Sequence, residues 1–212
     1  MNTKIEKKSN IPSGVQINKI SHSIFIIDDK QKEFPLKDIL QNKLKRIGKK
    51  ISDLKKTPVV TEHPEGGITC WVMASEDINL FQCHTVLRKS LAFIVNERPT
   101  NISIICQVGH KVSKLWSEAA VYVTLLNTQN LPSHKKDKKN MQLRKLTLYG
   151  TSSLIDLKAI SASVVGNTLT RELTITPPNE LTPTIYRGKI KKLAKQNKWK
   201  VQEYSMPKLK TM

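Results

Sequence analysis

The sequence predicts an α/β fold in which a mostly parallel sheet is flanked by helices and is followed by a helix–strand junction segment. Short apolar segments rich in β-branched residues alternate with amphipathic segments of 15 or more residues, the pattern of strands joined by crossover helices. The 212 residues suffice for one domain, or for one domain and the beginning of a second. No stretch of about 18 apolar residues occurs, so we expect no membrane-spanning helix.

The first third of the chain predicts a tail, a strand, a helix and a hairpin. Residues 1–14 are polar and end in a proline and a glycine, so we expect a flexible tail. Alternating and then continuous apolar residues predict a strand over 15–27 that ends in a turn at Asp28 and Asp29, and apolar residues at helical spacing predict a helix over 36–48. The β-favouring segments 58–61 and 68–73 flank a turn with two adjacent glycines, which indicates a β-hairpin.

Two helices and a strand are predicted in the middle of the chain. Possible cap residues at 75–77 precede a helix that ends by residue 97, and a buried strand follows over 102–108. The next helix is predicted over 112–126, and the polar residues 127–142 predict a surface loop. The expected buried face of the first of these helices consists of Leu80, Cys83, Leu87, Leu91 and Ile94.

A last strand–helix pair completes the predicted α/β domain, which spans residues 15–174. The strand covers 143–149, and the helix runs from a cap at Ser152 or Ser153 to about Leu173. The buried candidates of this helix are Leu154, Leu157, Val165 and Leu169.

Residues 175–212 predict a junction and the truncated start of a second domain. Pro177 and Pro178 end the preceding helix, and Thr182 is a suitable N-cap for a helix that begins at Pro183. Alternating residues predict a strand over 199–204, and a further helix begins near residue 205. Because one helical turn is not stable alone, we expect the chain to stop inside that second domain.

The charge of the chain is strongly positive and unevenly distributed. The net charge is +19 overall, with +8 over residues 1–60, −1 over 61–130 and +12 over 131–212. Clustered lysines bind phosphate by releasing counterions, whereas a solvated lysine-rich surface explains the same composition. The side chains we single out for nucleic-acid or anion contact are those of Lys135, Lys136, Lys138 and Lys139.

The sequence contains no catalytic or metal-binding motif that we recognise. His63 beside Glu62 and His84 beside Cys83 are the nearest approach to a zinc site, and they lack the ligand spacing of known zinc motifs. No nucleophile elbow or glycine-rich phosphate loop is present. We therefore predict no catalytic residue, no metal site and no cofactor in this chain. The three cysteines and the polar N-terminus favour a reducing cytoplasm.

One segment closely resembles the junction of the leucyl (cytosol) aminopeptidases, the two-metal peptidases. It reads Arg171-Glu-Leu-Thr-Ile-Thr-Pro-Pro-Asn-Glu-Leu-Thr-Pro183, against a family pattern of Arg-acidic-Leu-x-Asn-x-Pro-Pro/Ser-Asn-x-x-Thr-Pro. The resemblance is strong over residues 167–212 and weaker upstream, and Ile175 stands where the family usually has asparagine. The matching junction residues are Arg171, Pro177, Pro178, Asn179, Thr182 and Pro183.

The resemblance implies that residues 15–174 form a macrodomain-like domain that precedes a catalytic domain. The catalytic domain of that family binds two divalent ions, usually zinc, with manganese or magnesium as alternatives, and removes N-terminal amino acids from peptides. Its metal-binding signatures do not occur here. We therefore expect a non-catalytic N-terminal portion, inactive alone, that serves assembly or regulation.

The resemblance also implies the partners. We expect a homo-oligomer or a complex with a full-length homologous subunit, peptide substrates only through a catalytic domain, and no membrane. Two alternatives remain open. One is a basic nucleic-acid-binding module, since some bacterial relatives bind DNA, and the other is a decoy subunit that joins full-length enzyme.

Overall fold

The computed structural model describes residues 3–133, 140–151 and 155–212. Its strands are β1 Lys4–Lys8, β2 His22–Asp28, β3 Val59–Glu62, β4 Ile68–Ala74, β5 Asn101–Gln107 and β6 Lys145–Tyr149. Its helices are α1 Gly14–Asn18, α2 Lys37–Arg46, α3 Leu80–Val95, α4 His110–Asn127, α5 Leu157–Ile175, α6 Pro183–Asn197 and α7 Met206–Lys210, with a 3-10 helix at Ile51–Lys55.

The six strands form one sheet in the order β1-β6-β5-β2-β4-β3. All neighbouring strands are parallel except β3, which pairs with β4 in the predicted antiparallel hairpin. The central strands are almost continuously apolar because both of their faces are covered, as parallel sheets require. The predicted α/β class, a mostly parallel sheet flanked by helices, is confirmed.

Each face of the sheet carries its own hydrophobic core. Ile24, Cys70 and Val72 point to the side covered by α3, α4 and the first half of α5. Phe25 and Trp71, which alternate with them along the strands, point to the side covered by α1, α2 and the 3-10 helix. The two aromatic rings stack with centroids 4.8 Å apart. Full burial of each large side chain contributes roughly 1.5–3 kcal/mol, so these two cores stabilise the layered arrangement.

The chain divides into two compact units, residues 1–168 and residues 169–212. The division falls within α5, near the boundary predicted at residue 174. The first unit contains the whole sheet and most of the helices. The second contains the end of α5 together with α6 and α7.

The predicted tail and first strand differ from the structure. Residues 4–8 form edge strand β1, which pairs with β6, so they are part of the sheet. The predicted strand over 15–27 begins only at His22, because residues 14–18 form α1. Ser13 caps this helix and Ile17 is fully buried, so the apolar spacing that we read as alternation belongs to a helical turn.

Three helix details also differ. Asn79 caps α3, where we expected a cap within 75–77, and Leu80 is exposed because it lies in the first turn, outside the core. On α5 the buried residues are Ile160 and Val164, while Val165 is 60% exposed. One residue turns a helix by about 100°, which moves Val165 off the buried face. The predicted cap at Ser152 or Ser153 and the buried candidate Leu154 lie outside the described residues.

Residues 199–204 do not form the predicted strand. They follow α6 without regular structure, because no other strand lies beside them in the second unit to accept their backbone hydrogen bonds. Among the described residues, no helix is long and apolar enough to cross a membrane.

Candidate functional site

The carboxyl edge of the sheet is where α/β folds usually bind small molecules. Here β2 and β5 are neighbours in the sheet. The connection that follows β2 leads to strands on one side of this pair, and the connection that follows β5 leads to a strand on the other side. The switch point of the sheet therefore lies between β2 and β5. Asp28 ends β2 and Gly109 is the N-cap residue of α4 at this point. The Asp28 carboxylate accepts the Gly109 N–H at 2.5 Å and the N–H groups of Lys30 and Gln31 at 3.0 Å each.

The chain's own charges therefore fill the switch point. Asp28 occupies the position that a bound anion takes at a helix N-terminus. Beside it lies a cavity of about 160 Å³. Lys30 and Glu76 are among the residues that line it, and they form an ion pair at 2.8 Å. The hydrogen bond from Lys30 lowers the pKa of Glu76, and the Glu76 carboxylate in turn raises the pKa of Lys30. This edge thus has a structural role, which the sequence interpretation of Asp28 as a turn residue missed.

The described residues do not fit the pair of divalent ions that the family resemblance implies. No group of three or more His, Cys, Asp or Glu side chains that could hold a metal ion occurs in residues 3–133, 140–151 and 155–212. His63 is buried and contacts Thr69, and His84 stacks on Tyr122 with centroids 5.0 Å apart. Burial raises the pKa of the Cys83 thiol to about 12. No metal-dependent step is assigned to these residues.

The four lysines singled out in the surface loop, Lys135, Lys136, Lys138 and Lys139, lie outside the described residues. Their contact with an anion or nucleic acid remains a prediction.

The junction residues connect α5 to α6. The α5 helix ends at Ile175, and Pro177 accepts the N–H groups of Glu180 and Leu181 at 2.9 Å each, which closes a turn. The predicted cap is confirmed: the Thr182 hydroxyl accepts the N–H of Ile185 at 3.4 Å, and Pro183 is the first helical residue. The asparagine that the family usually has at position 175 is not needed for the helix to end there.

The second unit exposes most of its large apolar side chains. Within residues 169–212 only Ala194 is buried. Trp199 is 64% exposed and Met206 is 66% exposed. We call the following set the C-terminal apolar surface: Ile175, Ile185, Tyr186, Ile190, Trp199, Val201, Tyr204, Met206, Leu209 and Met212. Exposed apolar residues at this density are typical of a surface that packs against another protein part.

Residues 199–204 are held against α6 by one carboxylate. Glu203 accepts two hydrogen bonds from Arg187 at 3.2 Å each and forms an ion pair with Lys191 at 2.8 Å. The hydrogen bonds from Arg187 and Lys191 lower the pKa of Glu203 to about 2. Trp199 begins this segment with its N–H donated to the Ala194 carbonyl at 2.8 Å. The segment is therefore held against α6, yet it has no strand partner.

A shallow groove separates the end of α5 from the start of α6 within the same unit. Its volume is about 590 Å³, and it is lined by Thr170, Leu173, Thr174, Leu181, Pro183 and Tyr186. The unit carries ten Lys and Arg residues against three Glu residues, so its polar faces are cationic. The C-terminal apolar surface has one signal in the sequence. The apolar residues of α6 recur at helical spacing, although the segment that contains α6 has no core of its own.

Solved structures share this fold, including the following two. A mutant of tomato leucine aminopeptidase is 18% identical with a TM-score of 0.64, over 92% of this chain and 43% of that chain. The bottromycin maturation enzyme BotP in complex with Mn is 12% identical with a TM-score of 0.57, over 83% of this chain and 36% of that chain. No protein-family model and no curated protein matches the sequence.

These similarities concern the fold. The present chain spans less than half the length of either protein. The structural likeness to leucine aminopeptidase that the junction residues implied is confirmed, and the chain has the fold of the corresponding region of that enzyme.

Proposed function

We propose that this chain is the non-catalytic N-terminal portion of a leucyl-aminopeptidase-like metallopeptidase, and that it packs against a peptidase domain through the C-terminal apolar surface. The observation that carries the proposal is the coincidence of the junction residues with that surface in one unit. Residues 171–183 resemble the family junction, and most of the large apolar side chains that follow are exposed. The peptidase domain would supply the two zinc or manganese ions and the removal of N-terminal amino acids.

The arrangement of residues 199–204 supports this packing. Glu203 holds the segment in place while its backbone remains without a strand partner. A segment without a strand partner can add to the edge of another sheet, where its free N–H and C=O groups form a ladder. Trp199 and Val201, 64% and 45% exposed, would provide the apolar contacts beside that ladder.

The partner would be a second polypeptide of the same family, or further copies of this chain. A non-catalytic subunit that joins full-length enzyme would serve assembly or regulation. The fold of the N-terminal domain of such a subunit would be similar to that of a macrodomain. The cytoplasm is the proposed location, since Cys70, Cys83 and Cys106 are all buried free thiols.

An activity measurement tests the non-catalytic part of the proposal. The purified chain is incubated with a leucyl-anilide substrate in the presence of Zn²⁺ or Mn²⁺. We expect no hydrolysis above the buffer rate, because the described residues offer no carboxylate cluster for two ions. Hydrolysis that a chelator abolishes would contradict the proposal.

Assembly is tested by co-expression with a full-length leucyl aminopeptidase from the same organism, followed by purification through a tag on this chain. We expect the two chains to co-elute as a complex of defined mass. The variant Val201→Asp places a charge on the C-terminal apolar surface and should abolish the complex. The control Val15→Asp makes the same change at a 67% exposed position on α1 and should leave the complex intact. A complex that survives Val201→Asp would overturn the docking surface.

A further inference from the structure

A pocket lies between the three helices that cover one face of the sheet, α3, α4 and α5. Its volume is about 370 Å³, near the lower end of the range of about 300–1,000 Å³ that is usual for small-molecule sites. All of its described lining residues belong to the first unit. We call it the α3–α5 pocket, and its main lining residues are Leu80, His84, Leu115, Glu118, Tyr122 and Ile160.

The pocket has apolar side chains that remain accessible to solvent. Leu80 on α3 is 51% exposed, and Leu115 on α4 is 37% exposed. Ala119 and Ile160, which also line the pocket, are buried and connect it to the core below. A ligand with an apolar body would cover the two leucine side chains, and the removal of apolar surface from water favours such binding.

The pocket also has an aromatic part. The rings of His84 and Tyr122 stack with centroids 5.0 Å apart and an interplanar angle of 28°, so α3 and α4 contribute one ring each. Burial lowers the pKa of His84 from its ordinary value of 6.5, which leaves the imidazole uncharged at neutral pH. Aromatic rings pack favourably against other aromatic rings, so this pair favours a ligand that contains one.

The charge of the pocket is opposite to the charge of the chain. The chain contains 36 Lys and Arg residues, yet none of them is among the described residues that line the pocket. Its acidic residue is Glu118. Among the described side chains, no cation lies within ion-pair distance of the Glu118 carboxylate. A cationic ligand would therefore find a partner here, and an anionic ligand would not.

The backbone before α5 positions this carboxylate. Glu118 Oε1 accepts the N–H of Asp156 at 3.3 Å, and Oε2 is left for a ligand. A second acceptor is provided by α5, where the Asn167 side chain donates its Nδ2 to the Ser163 carbonyl at 3.0 Å and leaves its amide oxygen available. An ammonium group has three N–H donors and no acceptor, so it suits these groups.

We infer that the α3–α5 pocket binds a small organic cation with an aromatic body, of the class of arylalkyl primary amines. The aromatic body would pack on His84 and Tyr122, and the ammonium group would donate to Glu118. Because a partly dry site strengthens the attraction between opposite charges, the carboxylate selects a cation over a neutral or anionic molecule of the same shape. This inference concerns the first unit and does not depend on the proposed peptidase relationship.

The experiment is a titration of the full chain with phenethylamine at neutral pH, followed through the backbone amide signals by nuclear magnetic resonance. Phenethyl alcohol and phenylacetate are the matched probes, since they keep the ring and replace the ammonium group by a neutral group and by an anion. We expect saturable shifts in α3, α4 and α5, with phenethyl alcohol at least about tenfold weaker and no binding of phenylacetate. Equal affinities for the three probes would overturn the inference, and so would the absence of saturable shifts with phenethylamine.

Two variants with matched controls locate the binding. Glu118→Gln keeps an acceptor for the Asp156 N–H and removes the charge, so it should weaken phenethylamine binding at least about tenfold and leave phenethyl alcohol binding nearly unchanged. Its control Glu65→Gln removes an equal charge from an exposed turn and should change neither. Ala159→Leu fills the pocket from α5 and should abolish the binding of both probes. Its control Ala162→Leu, exposed on the same helix and outside the pocket lining, should not. An unchanged phenethylamine affinity in either Glu118→Gln or Ala159→Leu would overturn the inference.

Discussion

The carboxylate of Asp28 accepts the backbone N–H of Gly109 at 2.5 Å and thereby joins the end of β2 to the start of α4. Asp28 is 6% exposed and also accepts two N–H groups of the turn that follows β2. A side chain that satisfies three buried or partly buried donors cannot be removed without leaving them unpaired. The same relationship places a carboxylate of the chain itself at the N-terminus of α4, at the switch point of the sheet.

We expect Asp28→Ala to lower the free energy of unfolding by about 2–3 kcal/mol, because hydrogen bonds to a charged acceptor are lost and backbone donors remain unsatisfied. Urea unfolding monitored by circular dichroism measures the change. The neighbouring Asp29→Ala is the control, since Asp29 is exposed and its ion pair with Lys55 spans 3.4 Å. It should change stability by less than about 0.5 kcal/mol. Equal effects of the two variants would contradict the structural role of Asp28.

Gly150 is predicted to be intolerant of a side chain. It has a φ of 73°, and a Cβ atom there would collide with Ile11 Cδ1 and the Cys106 carbonyl oxygen. We expect Gly150→Ala to destabilise the chain by about 3 kcal/mol through backbone strain and overpacking. Gly166→Ala, within α5, meets nothing within 4 Å and should stabilise the chain by up to about 1 kcal/mol. Thermal unfolding of both variants checks the opposite signs.

His63 is predicted to make folding stability depend on pH. Its Nε2 lies 2.6 Å from the Thr69 hydroxyl, which lies 2.6 Å from the Ser23 hydroxyl, and Ser23 donates to the Ile68 carbonyl. This series of hydrogen bonds places the proton of the His63 ring on Nε2. The other ring nitrogen, Nδ1, is then buried without a partner. Protonation would create a buried, unpaired N–H donor.

Burial lowers the pKa of His63 from its ordinary value of 6.5. The unfolded chain therefore takes up the proton first, so stability is full above pH 6.5, falls as the pH drops through 6.5 and levels off below the folded pKa. Urea unfolding between about pH 5 and pH 8 should show this fall in the parent chain and a smaller one in His63→Gln. The exposed control His110→Gln should retain it. An unchanged profile in His63→Gln would contradict the prediction.

Glu203 is predicted to control the mobility of residues 199–204. Its pKa is lowered from 4.5 to about 2, first by the hydrogen bond from Arg187, so its contacts are complete above pH 4.5 and are lost as the pH falls towards 2. The Glu203 carboxyl signal in a nuclear magnetic resonance titration reports this directly. Glu203→Gln should also accelerate tryptic cleavage after Lys198 and Lys200, whereas Glu65→Gln, in an exposed turn, should not. Equal cleavage rates would contradict the contact.

The strands and helices with strong periodicity could be predicted from the sequence. The hairpin of β3 and β4 followed from two β-favouring segments around Gly66 and Gly67, which are local features. The cap at Thr182 followed from the order Thr-Pro at a helix start. Strand β1 could not be predicted in this way, because Lys4–Lys8 is polar and becomes a strand only through its pairing with β6. The buried face of α5 was predicted wrongly for a similar reason. Val164 and Val165 are equally apolar, and only contact with the core shows that Val164 is the buried one.

The candidate surfaces divide in the same way. The junction residues 171–183 can be recognised in the sequence alone, because that resemblance is a property of consecutive residues. Asp28 was interpreted as a turn residue, and its contact with Gly109 links positions that are distant in sequence.

The pairing of β1 with β6 also determines when the edge of the sheet can form during synthesis of the protein. Lys4 lies opposite Lys145, so β1 leaves the ribosome well before β6 and acquires this neighbour only after most of the first unit has been synthesised. Until then its backbone groups are open to other nascent or aggregating chains. Such late closure gives a high contact order and slow folding, and the lysines and glutamate of Lys4–Lys8 would keep the waiting strand hydrated meanwhile.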